Sequence, residues 1–485
     1  MLSRVRTRML TGRGFGVAAA GVAALLGAQV LGRRDLLLLA VFLILLPLAS
    51  VLALRLMRPA FTVQRTFSPP SADAGNAVNI SLTLTPVRPF GGTARMREGL
   101  PARFGASPEF GFPAGSTGPG GTSRYEYRLR SSRRGLYQIG PVSAGFHDPF
   151  GLAVLRHTIG GTDALVVKPA PAELPAAILD GLRGADGSVS TRRHGIPSQD
   201  DVTTREYRHG DPMRRVHWSA TARHGKLMVR QEETVTTPRA TILLDQREAS
   251  YDHGFLSPFW ADSPDASAPA SSEAFEWAVS AVMSIGAHMM EHGFAVRLVD
   301  AAARPGLARS PSAAAPQVDT FSGAAGVLDL GEGLAALGLE PSAGSASQGA
   351  QPRRARPALR KPTDQASPGA PAWTGAQLPA GSLAPFGDAL AEALQDPRNR
   401  GPLVVIAGQI SAEDAHRLAP AADYAPAAIA VLVSERPGSV APALTILRSA
   451  GWTALTVEPS QPVAAVWSSA GEPAIRTAVP QGRLP

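Results

Sequence analysis

Two long apolar runs near the start of the chain constrain its fold more than any other feature. The first run, Phe15 to Leu31, and the second, Leu36 to Leu54, contain no charged residue. Spanning the hydrocarbon core of a bilayer takes about 20 apolar residues, with a range of roughly 17–25. The second run meets that length, and the first, which is rich in alanine and glycine, lies at its lower limit. Because only Gly32 to Asp35 separates the runs, the pair predicts a transmembrane helical hairpin within residues 1–60, with spans at 15–31 and 36–54.

Arginines around these runs set the expected orientation, because loops on the cytoplasmic side of a membrane carry an excess of Lys and Arg. Arginines at both ends of the pair predict a multi-pass protein of the cell membrane with both termini in the cytoplasm, although the arginines of the turn oppose this. The basic start also fits a cleaved signal peptide, but a second, longer apolar run directly behind it favours the hairpin. The flanking arginines are Arg4, Arg6, Arg8 and Arg13 before the first run, Arg33 and Arg34 in the turn, and Arg55, Arg58 and Arg65 after the second.

Composition excludes several kinds of site. The chain of 485 residues has no cysteine, which rules out disulfides, thiolate metal sites and cysteine nucleophiles. Its net charge of +8 comes mainly from arginine, since lysine occurs only at Lys168, Lys226 and Lys361. Arginine, alanine, glycine and proline are abundant together, as a GC-rich genome would produce. The net charge is therefore partly a codon-usage effect, and no nucleic acid partner is expected.

Residues 61–171 show the two-residue period of half-buried β-strands. Residues 77–86 alternate apolar and polar side chains, and so do residues 124–130. Clusters of Gly, Pro, Ser and Asn separate such stretches as turns. The segment is expected to be a β-rich, antiparallel sandwich-like domain. Within it, Asp148, Pro149 and Gly151 predict a tight turn in which Asp148 caps its own backbone.

Further along, apolar strands alternate with helices, which predicts a parallel sheet with helices on both faces. We expect this α/β domain in two parts, residues 172–300 with the basic block described next and residues 379–485. Between them, residues 301–378 are rich in Ala, Pro, Ser and Gly and predict a low-complexity, disordered insertion, with a short helical piece near 328–339. A helix is expected over Glu273 to His292, and strands are expected at "RATILLDQ" up to Asp245, Phe294 to Asp300, Pro402 to Gly408, Ala427 to Val433 and Trp452 to Pro459.

A basic block over Arg192 to Arg230 carries nine Lys and Arg residues against four Asp and Glu. Asp211 as N-cap and Pro212 at the first helical position predict a helix that runs to Arg223 and ends at Gly225. Two interpretations stay open. The block binds phosphate groups or an acidic protein surface, or its arginines pair within the chain and hold the helix onto the sheet. The acidic residues available for the second interpretation are Glu206, Asp211, Glu232 and Glu233.

The segment Arg205 to Glu233, followed by the apolar run up to Asp245, closely resembles the signature of a bacterial family catalogued as domain of unknown function 58. Val216 stands where that family has isoleucine, and His217 where it usually has an acidic residue. The upstream stretch "RRGLYQIGPV" and the paired apolar runs also resemble the family, so the likeness covers most of residues 1–300. The matching signature positions are Arg205, Tyr207, Gly210, Asp211, Arg214, Trp218, Ala222, Arg223 and Leu227.

This resemblance implies a partner rather than a reaction. Members look like membrane-anchored partners of MoxR-type AAA+ ATPases, with a β-rich domain and a C-terminal portion similar to a von Willebrand factor A domain. Such a domain often binds a divalent metal through Asp-x-Ser-x-Ser after its first strand. Here Asp245 keeps the first position, but Arg247 and Ala249 replace the serines. Because one carboxylate cannot hold Mg²⁺ alone, this degenerate site predicts no metal, and no cofactor is expected.

The sequence contains one pattern typical of an enzyme, but the residues around it do not favour a catalytic role. "HMMEH", His288 to His292, fits an inverted zinc-protease pattern. It ends its helix just before Gly293, where histidines suit the helix dipole and the cap. No G-x-S-x-G stretch occurs in the sequence. We therefore expect that the protein is not an enzyme.

Taken together, the sequence predicts a multi-domain chain. An N-terminal transmembrane helical hairpin would be followed by an antiparallel β-sandwich-like domain, and then by an α/β von Willebrand A-like domain with a disordered insertion. The expected function is that of a membrane-anchored, non-enzymatic interaction or assembly protein that partners a cytoplasmic MoxR-type AAA+ ATPase. The alternative is a protein that binds a polyanion, anionic lipid or nucleic acid, through residues 192–230, with a steep salt dependence.

Overall fold

The computed structural model describes residues 9–57, 59–88, 93–114, 118, 121–176, 204–207, 213, 216–230, 237–251, 270–341, 384–396 and 401–477. These residues form a pair of apolar helices, a β-rich part and an α/β part. Residues 342–383, which make up much of the predicted disordered insertion, lie outside the described residues. The N-terminal arginines Arg4, Arg6 and Arg8 lie outside them as well.

Two long apolar helices open the described chain and confirm the predicted pair. Helices α1 (Gly12–Leu31) and α2 (Arg34–Met57) are each long and apolar enough to cross a membrane, so they are compatible with a membrane anchor. Gly21 lets the helices approach closely, because a Cβ at that position would lie 2.8 Å from Cγ1 of Ile44. At the other end from the turn, Nε of Arg55 lies 3.3 Å from Sδ of Met9. The start of α1 and the end of α2 therefore lie side by side.

The described part of residues 61–168 folds into three small sheets. Its strands are β1 (Phe61–Ser68), β2 (Ser71–Asp73), β3 (Ala77–Pro86), β4 (Ala94–Arg97), β5 (Glu109–Phe112), β6 (Ser123–Arg130), β7 (Gly135–Ile139), β8 (Val142–His147), β9 (Val154–Ile159) and β10 (Asp163–Lys168). Strand β3 lies between β1 and β6 in one antiparallel sheet. Strands β5, β4, β8 and β9 form a second antiparallel sheet in that order, and β10 lies between β2 and β7 in the third. The strands predicted over residues 77–86 and 124–130 are confirmed as β3 and β6.

Alternating side chains of β3 build the core of the β-rich part. Ile80, Leu82 and Leu84 have no exposed surface, as the two-residue period of a strand predicts. Leu82 and Leu84 belong to a cluster that also contains Leu54 from the last turn of α2. The end of the apolar hairpin is therefore packed into the β-rich part rather than joined to it by a free linker.

From residue 204 onward, a small hairpin unit is followed by one large sheet. The elements are β11 (Thr204–Glu206), α3 (Trp218–His224), β12 (Met228–Arg230), β13 (Arg239–Leu244), α4 (Glu248–Tyr251), α5 (Glu273–Glu291), β14 (Ala295–Asp300), β15 (Thr320–Phe321), α6 (Gly323–Ala335), α7 (Asp388–Gln395), β16 (Leu403–Ala407), α8 (Ala412–Leu418), β17 (Ala428–Val433), α9 (Ala441–Ser449), β18 (Thr453–Val457) and α10 (Val463–Thr477).

The large sheet has the strand order β15-β14-β13-β16-β17-β18. All neighbours are parallel except the short edge strand β15. Numbered along the chain, this is the 3-2-1-4-5-6 order of a doubly wound sheet. Ile242 and Leu244 face one apolar core and Leu243 faces another, so both faces are covered. The five predicted strands and the predicted long helix are confirmed as β13, β14, β16, β17, β18 and α5.

The prediction that a disordered insertion begins at residue 301 is wrong for residues 301–341. This stretch forms the edge strand β15 and the helix α6, whose Leu330 and Leu334 are fully buried. Its glycines permit close packing rather than disorder: a Cβ at Gly333 would lie 2.3 Å from Cδ1 of Leu307. The predicted short helix near 328–339 is present, but it begins earlier, at Gly323.

A buried arginine joins the β-rich part to the α/β part. Nε and Nη2 of Arg134, between β6 and β7, donate to the two carboxylate oxygens of Glu276 in α5 at 3.0 and 2.8 Å. Its Nη1 donates to the carbonyl oxygen of Leu334 in α6. Nearby, the N–H of Ala172 donates to the hydroxyl of Ser284 at 2.9 Å. The two parts therefore share a polar, well-satisfied contact.

Candidate functional site

Charged side chains gather at the carboxyl ends of the central strands of the large sheet. Asp245 directly follows β13, and Asp300 ends β14. In doubly wound sheets, ligands bind outside the carboxyl ends of the strands where the strand order reverses, here between β13 and β16. The chain's own α4 lies in this place, because the carbonyl oxygen of Ser250 accepts from the N–H of Gln409, just after β16, at 2.6 Å.

The carboxylate of Asp245 is fully buried and fully occupied by donors of the chain. Its Oδ1 accepts from the backbone N–H and from Nε of Arg247, at 3.1 and 2.9 Å. Its Oδ2 accepts from Nη2 of Arg247 at 2.8 Å and from the hydroxyl of Ser250 at 2.6 Å. A carboxylate offers about four lone-pair sites. Donors of the chain therefore occupy the acceptor sites that a metal ion would need on Asp245.

The guanidinium of Arg247 bridges two carboxylates. Its Nη1 donates to Oδ2 of Asp414, in the first turn of α8, at 3.1 Å. Its Cζ lies 5.1 Å from the ring centroid of Phe386, within the range of a cation–π contact. Burial disfavours the charge of Arg247, but hydrogen bonds and charges from Asp245 and Asp414 outweigh burial and raise its pKa. The structure thus places a permanent cation between Asp245 and Asp414.

A second cluster of ion pairs lies at the end of β14. Oδ2 of Asp300 accepts from Nε of Arg304 at 2.7 Å, and Nη2 of Arg304 donates to Glu340 at 3.2 Å. Arg309 also pairs with Glu340, at 3.3 Å. Burial raises the pKa of Asp300, and the hydrogen bonds and charge of Arg304 limit that rise. The N–H of Glu340 donates to the carbonyl oxygen of Gln246 at 2.6 Å, which connects this cluster to the segment after β13.

These clusters stabilise the sheet edge and present paired charges, but they do not assemble a metal centre. Among the residues that the structure describes, no group of three or more His, Asp or Glu side chains is placed to hold a metal ion. Asp245 and Arg247 were predicted from the sequence, whereas Asp414 was not. The available signal was weak: Ser411 caps α8, and an acidic residue three positions later is ordinary for a helix start.

The signature segment forms a small unit around the β11–β12 pair. Strand β11 pairs antiparallel with β12, and Val216 adds an isolated bridge to Val229. The N–H of Tyr207 donates to the carbonyl oxygen of Leu227 at 2.8 Å, which brings two signature positions together. Val216, Met228 and Val229 are buried, so they form the inner side of this unit.

Helix α3 is shorter than predicted. It begins at Trp218, where the ring Nδ1 of His217 accepts from the N–H of Ala220 at 3.1 Å. The predicted helix is wrong for Val216 and His217, because Val216 lies in a β-bridge and His217 is extended, with φ of −95° and ψ of 93°. The predicted start, Pro212, lies outside the described residues. The predicted end is confirmed: Gly225 has φ of 68° and closes the helix.

Three apolar side chains of this unit are exposed to an unusual degree. Trp218 is 66% exposed, Met213 56% and Leu227 39%. A tryptophan normally contributes its large apolar area to a core or an interface. The signature residues Ala222 and Arg223 are exposed as well. The described part of this unit therefore exposes apolar as well as basic side chains.

The described residues of the block include an exposed ion pair. Nζ of Lys226 donates to Oε1 of Glu206 at 2.9 Å, and both side chains are exposed. Such a surface pair contributes only about 0–1 kcal/mol to stability. Of the remaining signature positions, Arg205 lies in β11, whereas Gly210, Asp211 and Arg214 lie outside the described residues.

The "HMMEH" motif lies at the end of α5, as predicted. The rings of His288 and His292 have centroids 4.5 Å apart, and Nδ1 of His292 lies 2.8 Å from the carbonyl oxygen of His288. Burial lowers the pKa of His288, the charge of His292 lowers it further, and Glu291 opposes both. His292 thus engages a carbonyl group of the last helical turn.

Fold and site together define a doubly wound α/β protein with an internal arginine at its sheet edge, joined to a β-rich part and two apolar helices. The model of the family described as "Protein of unknown function DUF58" matches residues 203–256. This match supports the family assignment predicted from the signature positions, and the matched segment contains the β11–β12 unit together with Asp245, Arg247 and α4.

Other comparisons add no functional information. No curated protein sequence matches the chain. Among solved structures, the Pseudomonas fluorescens alkylpurine DNA glycosylase AlkC bound to DNA containing an abasic site analog is 18% identical over 28% of this chain, with a TM-score of 0.14. The match spans 39% of that glycosylase, less than half of its length. A likeness with this TM-score carries no argument about fold or function.

Proposed function

We propose that this protein is a membrane-anchored, non-enzymatic interaction or assembly protein that partners a cytoplasmic MoxR-type AAA+ ATPase. The observation that carries the proposal is the exposed apolar surface of the signature unit, formed by Trp218, Met213 and Leu227. A surface that is exposed in the single chain and belongs to the family's matched segment is suited to a partner rather than to a core.

The two apolar helices support the membrane anchor. Their outer faces expose large apolar side chains such as Phe15, Leu38 and Leu48. Small residues, among them Gly21 and Ala28, lie on the buried face of α1, and small residues are typical of contacts between membrane helices. We propose that both helices cross the cell membrane, which makes the protein multi-pass. The arginines at the open end of the pair favour a cytoplasmic location for both termini and for the rest of the chain.

The large sheet supports a von Willebrand A-like docking domain that works without a metal ion. An aspartate follows the first strand of a doubly wound sheet, at the edge where such sheets bind ligands. Arg247 supplies the positive charge between Asp245 and Asp414. A docking edge of this kind needs no cation from solution and has no chemistry that would turn over a substrate.

The signature surface indicates the chemistry of the partner. Trp218, Met213 and Leu227 offer an apolar centre, and Arg223 and Lys226 are exposed beside it. Interfaces combine an apolar centre with a polar rim, and tryptophan is enriched among the residues that carry the binding energy. We therefore expect an apolar pocket on the ATPase with acidic side chains around it.

Co-purification from detergent-solubilised membranes tests this function. The wild-type chain should retain an AAA+ ATPase that mass spectrometry identifies. Because Trp218 is exposed, W218A should keep the chain folded while weakening this binding by about 2 kcal/mol or more, roughly thirtyfold. L328A serves as a matched control, since Leu328 is an exposed apolar residue outside the signature unit.

Two results would speak against the proposal. One is recovery of the wild-type chain with no ATPase; the other is equal recovery of the ATPase with W218A. Binding that instead falls steeply with salt concentration and follows added anionic lipid would favour the polyanion alternative over a protein partner.

A further inference from the structure

The lengths of the two apolar helices fix where a bilayer surface would lie on this protein. Helix α1 has 20 residues, about 30 Å at 1.5 Å per residue, which equals the hydrocarbon thickness of about 30 Å. Helix α1 has no spare length, so its N-cap, Thr11, would lie at the boundary between hydrocarbon and headgroups. Helix α2 has 24 residues, about 36 Å, so its last turn projects from the hydrocarbon, and there Leu54 packs into the β-rich part.

The turn at residues 148–151 is hydrogen-bonded to Thr11, the residue at this boundary. The hydroxyl of Thr11 donates to the carbonyl oxygen of Gly151 at 2.6 Å, and its N–H donates to that of Leu152 at 2.9 Å. Gly14 makes the approach possible, because a Cβ there would lie 2.1 Å from the carbonyl oxygen of Leu152. The turn therefore lies at the same level as the start of the first span.

This turn presents an exposed aromatic side chain in a fixed position. The buried carboxylate of Asp148 accepts from the N–H of Phe150 at 3.1 Å and from the N–H of Ala153 at 2.6 Å. These bonds hold the turn, yet the side chain of Phe150 at its tip is 64% exposed. Burial of this exposed ring against another apolar surface would be favourable, by about 25 cal/mol for each Å² removed from water.

A second exposed apolar residue lies on a turn attached to the end of the other span. Val87, just after β3, is 62% exposed, and its N–H donates to the carbonyl oxygen of Ala60 at 2.9 Å. Ala60 follows the end of α2 by three residues. The two exposed tips are thus each hydrogen-bonded to a residue that flanks a span.

We propose that Phe150 and Val87 form a membrane-contact surface of the β-rich part. Both side chains insert into the headgroup layer, and the exposed Arg13, Arg55 and Arg88 contact the phosphates of anionic lipids. The bilayer is the occupant because the covalently attached spans enter it at this level. This inference rests on the proposed transmembrane hairpin and adds that the β-rich part lies against the membrane instead of hanging from it.

Depth measurements on single-cysteine variants test this surface, since the chain has no cysteine of its own. The full chain is reconstituted into vesicles of phosphatidylcholine and phosphatidylglycerol, and a nitroxide is attached at F150C, V87C or S449C. Electron paramagnetic resonance then compares collisions with oxygen and with a water-soluble nickel chelate. We expect F150C and V87C to be several-fold less accessible to nickel than S449C, whose position on α9 is exposed and far from the spans in sequence.

A fourth variant, L45C in the middle of α2, tests the transmembrane hairpin separately from the membrane-contact surface. Two results together would overturn the membrane-contact surface but not the hairpin. They are a nitroxide at L45C that oxygen reaches and nickel does not, and a nitroxide at F150C that nickel reaches as readily as it reaches S449C. Full nickel accessibility at L45C would overturn the hairpin and this surface together. In vesicles of phosphatidylcholine alone, which carry no net negative charge, nickel accessibility at F150C should rise; no change would overturn the preference of the arginines for anionic lipids.

Discussion

Arg247 occupies the position at which a metal-binding sheet edge would offer a hydroxyl ligand. The carboxylate of Asp245 is fully buried, and a buried charge without a partner costs several kcal/mol. Arg247 neutralises that charge and fills the acceptor sites of Asp245 with Nε, Nη2 and its own N–H. One residue of the chain thereby supplies the positive charge beside Asp245.

Removing this guanidinium should destabilise the α/β part strongly. R247A leaves Asp245 buried without its counter-charge, so we expect a loss of about 3–5 kcal/mol. R417A removes a more exposed arginine from the same sheet edge and should cost about 1 kcal/mol or less. Chemical denaturation of the detergent-solubilised chain, followed by tryptophan fluorescence, measures both. Equal losses for the two variants would show that the Asp245–Arg247 pair is not a buried structural pair.

The sequence predicted only half of this cluster. Asp245 and Arg247 could be found because they follow a predictable strand and lie two residues apart. Asp414, 167 residues further along than Arg247, could not, because only the sheet topology brings α8 to the same edge. Single-sequence reasoning recognises local chemistry, whereas contacts of this separation depend on the order in which the strands are placed.

At the scale of elements, close packing of α1 depends on where its glycines lie. Gly14 faces the backbone of the turn after β8, whereas Gly16, on the same helix, has no atom within 4 Å of the place where a Cβ would be. The same substitution at these two positions therefore separates a packing effect from the helix propensity of glycine.

G14A should detach the start of α1 from the turn at residues 148–151. Its Cβ would collide with the carbonyl oxygen of Leu152, which cannot move away as a flexible side chain could. We expect a lower midpoint of thermal denaturation in detergent for G14A. G16A should leave the midpoint unchanged or raise it, because alanine favours a helix over glycine by up to about 1 kcal/mol. Identical shifts for the two variants would contradict the docking.

Element boundaries show where sequence patterns mislead. The start of helix α6 at Gly323 was missed because its first turns are rich in Gly and Ala, whereas the part that contains the fully buried Leu330 and Leu334 was predicted. Helix α3 was extended too far, because Asp211 and Pro212 form a good helix start on local grounds while Val216 pairs instead with Val229. In both cases tertiary packing decided the outcome and local propensity did not.

At the scale of the whole molecule, Arg134 couples the β-rich part to the α/β part. Its side chain is 3% exposed and makes a two-pronged pair with Glu276, so it is buried at the contact. The apolar helices are packed into the β-rich part through Leu54. Contacts therefore run from the apolar helices through the β-rich part to the α/β part.

R134A should uncouple these two parts while leaving each folded. The variant leaves Glu276 without its partner, so the contact should weaken by about 3–5 kcal/mol. Hydrogen–deuterium exchange should accelerate at α5 and α6 and stay unchanged at β17 and β18, which lie away from the contact. R128A, an exposed arginine that binds Asn79, is the control and should change neither. Unchanged exchange at α6 in R134A would contradict the coupling.

The central claim is that the signature unit docks a cytoplasmic AAA+ ATPase, and site-specific photocross-linking in intact cells tests it most directly. A photoreactive amino acid replaces Trp218 in one variant and the exposed Leu328 in another. We expect one strong cross-linked product at position 218 that contains an AAA+ ATPase, and none at position 328. No product at position 218, or the same product at both positions, would contradict it.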